Sequence, residues 1–184
     1  MKINLLTPIN QLGYGVAGIN ILKGLQKKGD VALHVIGQPH VTTQEDADAV
    51  TKGLESAQTF DIQSPCIKVW HQNQMAEFIG KGVHIGFPIF ELDTFTDLEK
   101  WHLNSCDEIM VCSDWARAVV HNQTKHLPET IHTVPLGVDS NIFKQSLTRT
   151  HEKTIFFNYF WVPKWGPNTG PQENPSVACP WRLW

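Results

Sequence analysis

The sequence predicts the α/β class, with a doubly wound parallel sheet. Short, nearly continuous apolar segments alternate with helical ones, the pattern of strands buried on both faces of a parallel sheet. The 184 residues are 41% hydrophobic and 18% charged, which is ordinary globular composition, and they suffice for one domain with a core.

The first half of the chain predicts two strands and two helices. Residues 2–6 (KINLL) form an apolar strand. Across 14–28 the apolar residues recur every three positions, and Gly29 follows as a helix stop. Residues 31–37 (VALHVIG) predict the second strand, and the polar segment 42–57, with Thr at its start, predicts a surface helix.

Capping signals help to define the second half. Thr96 and Glu99 spell a capping box, and Ser113 can cap the helix that follows it. The remaining predicted elements are, in order, strand 66–70, helix 74–82, strand 83–90, helix 96–105, strand 108–113, helix 114–123, and strands 131–135 and 153–157.

Ligands of doubly wound sheets bind at the carboxyl ends of the strands, so the loops there are the first candidates for a binding site. The first contains Gly13, Gly15 and Gly18, which spell G-x-G-x-x-G. A dinucleotide site needs its first glycine directly after the strand and a carboxylate ending the second strand. Here residues 7–12 intervene and the second strand ends VIGQPH, so a nicotinamide-dependent oxidoreductase fragment remains only an alternative.

The glycines retain a local meaning. Gly13 and Gly15 permit φ > 0 and a close approach of the backbone to a ligand, and the following helix offers free N–H groups to a phosphate. Gly18 is predicted to be a helix-packing position. The alternative is that all three glycines only shape the turn.

Four motifs in a fixed order give the sequence its resemblance to a known family. The loop GYG (13–15) is followed by FELD (90–93), CDEIMVCSDWARAVV (106–120) and VPLGVDSNIF (134–143). This set is similar to the N-terminal half of family 4 glycosyltransferases, which have the two-Rossmann-domain GT-B architecture. The resemblance covers about residues 1–157 and implies a Rossmann-like acceptor-side domain at 1–150, with 151–157 as the first strand of the crossover to a donor domain.

The resemblance implies glycosyl transfer with retention, from a nucleotide-diphosphate sugar to a sugar-containing acceptor, without a cofactor or an essential metal. The loop Gly13-Tyr14-Gly15 would pack against the donor diphosphate. The PLGVD loop, with Gly137, Val138 and Asp139, would line the cleft, and Gly137 would let the chain turn there. Asp139 would bond sugar hydroxyls, or else be a plain turn residue.

Glu91 and Asp93 of FELD are the first acidic candidates. A carboxylate at this point could orient an acceptor hydroxyl or stabilise developing positive charge. Glu91 is the preferred catalytic residue, since a capping or surface role fits Asp93 better. His71, after the strand CIKVW, is the second catalytic candidate, although a lone histidine is more often structural. Ser113, counted with the cleft, and Trp115 resemble an S-x-W/F element whose expected roles are capping and core packing.

Residues 158–184 form an irregular tail with four of the seven tryptophans and five of the eleven prolines. Such proline density forbids a continued helix or central strand. The tail matches neither the glycine-lysine loop nor the paired glutamates of the family's donor domain. We therefore expect a frameshift or truncation before that missing C-terminal domain, and little activity of the chain alone. The alternatives are a genuine interaction tail and a stand-alone Rossmann-like binding module that pairs with a partner.

Charge and cysteine patterns exclude several other classes. The net charge of −3 and the lack of a basic block argue against a nucleic-acid partner. The sequence contains no C-x-x-C pair, which is the spacing that would indicate a zinc or redox site. The N-terminus lacks a signal peptide, and no apolar run reaches the ~18 residues of a membrane span, so a cytoplasmic protein is expected.

Overall fold

The computed structural model describes residues 2–138, which contain six strands and four α-helices. The strands are β1 (Lys2–Thr7), β2 (Asp30–Val35), β3 (Cys66–Trp70), β4 (His84–Pro88), β5 (Glu108–Val111) and β6 (Ile131–Thr133). The helices are α1 (Gly13–Gln26), α2 (Gln44–Ala57), α3 (Asp97–Asn104) and α4 (Asp114–Gln123). The predicted strand 153–157, the tail 158–184 and Asp139 lie outside the described residues.

All strand pairings are parallel, and the order across the sheet is β2-β1-β3-β4-β5-β6. This arrangement confirms the predicted α/β class, with a Rossmann-like sheet. The order reverses direction between β1 and β3, because the chain first steps outward to β2 and then returns to the other side of β1. Doubly wound sheets bind ligands in the crevice at such a switch point, beyond the carboxyl ends of the strands.

Two apolar cores hold the helices on the sheet. In the first, Leu5, Leu33 and Val69 of the sheet pack with Ile19 and Leu22 of α1. The second core contains the fully buried Ile109 and Val111 of β5, and it joins them to α3, α4 and the segment after β3 through Leu103, Val120 and Met75. Each fully buried aliphatic side chain of this size stabilises the fold by about 1.5–3 kcal/mol.

The capping signals are confirmed where the sequence predicted them. Thr96 and Glu99 form a reciprocal capping box at the start of α3. The Ser113 hydroxyl accepts a 3.2 Å hydrogen bond from the backbone N–H of Ala116 in α4. Each bond satisfies a backbone donor that has no partner within its own helix.

The helix predicted at 74–82 is wrong. A short 3-10 turn, Gln72–Gln74, is followed by irregular chain. The Gln74 carbonyl accepts a bond from the buried Lys68 ammonium, and the Lys81 N–H donates to Ile62 O at 2.7 Å, so these groups are taken from any helical ladder. Gly80 also adopts φ of 86°, which interrupts a right-handed helix.

Candidate functional site at the β1/β3 switch point

The switch point brings together the first turn of α1 and the residues that follow β3 and β4. Residues 8–12 connect β1 to α1, and Trp70 and His71 stand at the end of β3. Ile89, Phe90 and Glu91 follow β4, the next strand of the sheet. Residues far apart in the sequence therefore meet at one edge, where the open crevice of a doubly wound sheet lies.

The N-terminus of α1 has free backbone donors. Its N-cap, Leu12, makes no side-chain capping bond, and the first turn contains no acidic residue. The Leu12 N–H itself donates to Asn10 Oδ1 at 2.9 Å. The N–H groups of Gly13, Tyr14 and Gly15 precede the first intrahelical bond, which Val16 makes to Leu12 O. The resulting partial positive charge favours an anion.

The three glycines of this loop differ in what they do. A Cβ at Gly15 would overlap the Asn10 backbone, and one at Gly18 would overlap Pro8 and Thr7, whereas Gly13 faces open space. The expectation that Gly18 is a packing position is confirmed. Neither Gly13 nor Gly15 has a positive φ. Gly15 is needed for contact within the protein, and only Gly13 leaves room beside the backbone.

Tyr14 and His71 form a hydrogen-bonded pair at the switch point. The Tyr14 phenol donates to Ile89 O at 2.5 Å, and its oxygen lies 2.9 Å from His71 Nδ1. Because the one phenolic proton is committed to Ile89, Nδ1 must carry a proton and donate to the phenol. This network therefore assigns the Nδ1–H tautomer to neutral His71 and leaves Nε2 as an acceptor on an exposed ring.

The environment of Tyr14 keeps the phenol protonated. Burial, followed by the negative charges of Glu91 and Cys112, raises the pKa of Tyr14 to about 12. The phenol consequently remains a neutral donor at any physiological pH. Its ring also packs against Trp70, with centroids 5.5 Å apart, and against His71 at 4.5 Å.

The segment after β3 is anchored below His71. Gln74 accepts from Trp70 Nε1 through its side chain at 2.6 Å and from Lys68 Nζ through its carbonyl at 2.5 Å. Its N–H donates to His71 O at 3.3 Å. Gln72, which is 8% exposed, donates to Glu99 in α3 at 2.8 Å. These bonds fix the backbone that presents the imidazole.

Lys68 is an unusual component of this anchor, since its side chain is 2% exposed. Burial lowers the pKa of Lys68, although Glu77 lies 3.6 Å away and acts in the opposite direction. Sequence analysis did not single out Lys68, Gln72 or Gln74. The available signal was a lysine in the centre of the apolar strand CIKVW.

Glu91 and Asp93 have different surroundings in the structure. Both are exposed, but only the charge of Glu91 contributes to the raised pKa of Tyr14. Asp93 accepts a bond from the neighbouring Thr94 hydroxyl at 3.3 Å, and its carbonyl accepts one from Gln123 of α4 at 3.5 Å. The two carboxylates thus differ in that the charge of Glu91 acts on Tyr14, whereas Asp93 bonds to Thr94 and Gln123.

The other predicted cleft residues lie along the same sheet edge. Ser113 caps α4, as expected, while Trp115 remains 41% exposed and tilts against Phe90 with centroids 5.9 Å apart. Trp115 is thus not the core residue that its motif predicted. Gly137 and Val138 are exposed after β6, and Gly137 has neither a positive φ nor a crowding neighbour.

Residues 2–138 offer no metal site and no membrane-spanning helix. This part of the chain contains no group of three His, Cys, Asp or Glu side chains placed to hold a metal ion. Its three cysteines, Cys66, Cys106 and Cys112, are free thiols. None of its helices is long and apolar enough to cross a bilayer.

Comparison with known proteins adds no family assignment. No protein-family model matches the sequence. No curated protein matches it either.

Proposed function

We propose that this chain provides the acceptor-side domain of a retaining glycosyltransferase, which moves a sugar from a nucleotide-diphosphate donor to a sugar-containing acceptor. One observation carries the proposal: the free N-terminus of α1 lies beside the Tyr14–His71 pair at the β1/β3 switch point. A helix N-terminus with free N–H groups is a ready seat for phosphate. The hydrogen-bonding groups beside it suit sugar hydroxyls.

Each residue has a distinct role in this proposal. The N–H groups of Gly13, Tyr14 and Gly15 bind a phosphate oxygen of the donor. Tyr14, whose pKa burial and Glu91 raise to about 12, holds the His71 ring. His71 Nε2 accepts a hydrogen bond from a sugar hydroxyl. The exposed Glu91 carboxylate stabilises positive charge that develops at the anomeric carbon.

The proposal includes a second, donor-binding domain. Transfer needs the diphosphate charge neutralised and both substrates held in line. In residues 2–138 the hydrogen bonds of Tyr14 and His71 involve Ile89 and each other, with no lysine or arginine. We therefore assign the cations that neutralise the diphosphate to the other domain.

A stand-alone binding module is the second candidate, and exposed apolar side chains favour it. Leu12 is 73% exposed, Trp115 41% and Val138 77%, and all three follow strands at the carboxyl edge. Such residues are suited to burial against another protein. Stable association of the purified chain with a separate donor domain, measured by light scattering, would favour the module over one half of a single enzyme.

The phosphate seat can be tested by an NMR titration of the ¹⁵N-labelled full chain with UDP and GDP. We expect the largest amide shifts at Gly13, Tyr14 and Gly15. Leu12→Asp should weaken binding by about tenfold, because a carboxylate at this helix N-terminus occupies the same donors and repels phosphate. The matched control is His121→Ala, at an exposed position near the C-terminal end of α4. This substitution should leave the dissociation constant unchanged.

Two outcomes would count against the proposal. Unchanged nucleotide affinity in Leu12→Asp would remove the α1 N-terminus from the binding site. Tight NADH binding, measured by nicotinamide fluorescence, would favour the oxidoreductase alternative instead. The geometry argues against that alternative, since β2 ends at Val35 and is followed by Ile36 and Gly37 without a carboxylate for the ribose.

A further inference from the structure

A second cleft lies on the other flank of α1, between this helix and the segment that leads from β2 into α2. Its volume is about 210 Å³. We infer that this cleft binds a neutral, polyhydroxylated small molecule of about monosaccharide size. The inference stands on the lining of the cleft and does not depend on the proposed glycosyl transfer.

The cleft is held open by bonds between its two walls. The His40 N–H donates to Ile9 O at 2.8 Å, which joins the loop after β2 to the loop after β1. Gln11 Nε2 lies 3.5 Å from the Thr42 hydroxyl and adds a side-chain link. Binding at such a preformed site avoids the entropic cost of ordering a loop.

The polar lining offers both donors and acceptors. Asn10, Gln11 and Asn20 contribute amides, His40 an imidazole and Thr42 a hydroxyl. Asn20 donates through Nδ2 to Val16 O at 2.8 Å, so its Oδ1 is left to accept. A sugar hydroxyl is simultaneously a donor and an acceptor, and amide and hydroxyl side chains match it in either direction.

The apolar lining complements these groups. Ile9, which is 1% exposed, and Ile19, which is 8% exposed, are core residues that also line the cleft. Val16 and Val41 complete the apolar part. A pyranose or cyclitol ring has C–H groups on its faces that can cover such a surface while its hydroxyls reach the rim.

The charges at the cleft disfavour an anion. Lys23 Nζ is 2.8 Å from Asp46 Oδ1 and 3.3 Å from Glu45 Oε1. The hydrogen bond to Asp46 raises the pKa of Lys23, and the same bond lowers the pKa of Asp46. Of the two carboxylates, Asp46 lines the cleft together with Lys23, so the ammonium there is already paired and a phosphate or carboxylate ligand would have to compete with Asp46 for it.

The volume sets the size of the ligand. The volume of about 210 Å³ is far above the ~10–15 Å³ that a single ordered water needs. It is smaller than the ~300 Å³ at which pockets for drug-sized ligands begin. A single sugar or cyclitol ring matches this volume.

The test is an NMR titration of the ¹⁵N-labelled full chain with D-glucose and, separately, with myo-inositol. We expect shifts at Asn10, Gln11, Asn20 and Thr42, with a dissociation constant in the millimolar range that suits so few ligand atoms. Asn20→Trp should reduce affinity at least tenfold by filling the mouth of the cleft. Asn122→Trp, at an exposed position of α4, is the matched control and should bind as wild type.

Four results would overturn the inference. These are an absence of shifts up to about 100 mM of both probes, unchanged affinity in Asn20→Trp, stronger shifts of the same residues by inorganic phosphate, and shifts confined to Gly13–Gly15 and His71. The last would move the sugar to the switch point and leave the proposed function intact. If Asn20→Trp does not fold, Asn20→Leu removes the amide at similar size and should also weaken binding.

Discussion

The N-terminus of α1 differs from those of the other three helices in residues 2–138. Thr43, Thr96 and Ser113 cap α2, α3 and α4 through side-chain oxygens, and each of these helices has an acidic residue in its first turn. Helix α1 follows Leu12, which is 73% exposed, and has neither feature. One N–H in the first turn of each of these three helices thus has a side-chain acceptor, whereas α1 has no such cap.

This difference gives the carboxyl edge of the sheet a local polarity. In parallel α/β units every helix following a strand starts at that edge, so all four positive dipole ends lie there. Acidic first turns offset the dipole of α2, α3 and α4, whereas α1 keeps its full partial charge. If an anion binds at this edge, as proposed, the missing cap favours the N-terminus of α1 over those of the other three helices.

The largest effect is expected where the start of α1 rests on the loop. Gly15→Val should lower the free energy of unfolding by about 3 kcal/mol, because the side chain would overlap the rigid Asn10 backbone. Gly13→Ala is the control; it meets open space and should change stability by less than about 1 kcal/mol. Urea denaturation measures both, and equal losses would show that Gly15 has no special packing role.

Removing a cap should cost less. Thr96→Ala deletes the capping box of α3 and should lower the free energy of unfolding by about 1–2 kcal/mol, and Ser113→Ala should cost about 1 kcal/mol at α4. The nucleotide affinity of both variants should equal that of wild type. A loss of affinity in Ser113→Ala would instead extend the phosphate seat to α4.

Adding a cap to α1 should have the opposite effect on stability and should also weaken nucleotide binding. Leu12→Ser places a capping hydroxyl at an exposed, extended N-cap and should raise stability by about 0.5–1 kcal/mol. The same change should weaken UDP binding, since the hydroxyl competes for the free donors. Val83→Ser, at an exposed apolar residue in irregular chain outside any helix N-cap, is the control and should change neither quantity. Increased stability with unchanged UDP affinity would separate capping from binding.

The smallest expected effect is electrostatic. Glu91→Gln should lower the pKa of Tyr14 from about 12 by a fraction of a unit, because burial is the main cause of the shift and Glu91 the second. The chain has two tyrosines, so Tyr159→Phe isolates the tyrosinate absorbance of Tyr14. Asp93→Gln, on the same loop, should leave the titration unchanged. An unchanged Tyr14 titration in Glu91→Gln would show that the Glu91 charge does not act on Tyr14.

The sign of the associated stability change follows from the direction of the pKa shift. The unfolded Tyr14 phenol ionises near its ordinary pKa of 10.0, whereas the folded one does so at about 12. Between these values the unfolded state loses its proton first, so stability falls as pH rises. In Tyr14→Phe, the stability measured by thermal unfolding should fall less steeply with pH between 10.0 and about 12 than in wild type. An equally steep fall in both proteins would show that Tyr14 is not its cause.

Local signals made much of the fold predictable. The capping residues Thr96 and Ser113 act within three positions of themselves, and the structure starts α3 and α4 directly after them. The apolar run CIKVW coincides with β3, since burial on both faces gives a strand a continuous apolar sequence. Boundaries elsewhere moved by a few residues; for example, α1 ends at Gln26 instead of residue 28.

Contacts between distant residues account for what the sequence did not predict. Tyr14 and His71 are 57 positions apart, and only the strand order puts them together. The carbonyl of Gln74 is taken by Lys68, which prevents the helix that residues 74–82 predicted. The contact of Gly15 with Asn10 likewise depends on the path of a loop, so a motif of glycines alone could not separate its role from that of Gly13.

The segment that follows β3 also covers two buried thiols, so the rate at which these thiols react would report how often the segment opens. Cys66 is fully buried and Cys106 is 6% exposed, and the latter packs with Met75 of that segment. Burial raises the pKa of the Cys66 thiol and takes that of Cys106 to about 12, which suppresses the reactive thiolate. Alkylation of these sulfurs by a maleimide would therefore proceed only during openings of the segment, and its rate would record how often the support beneath His71 is released.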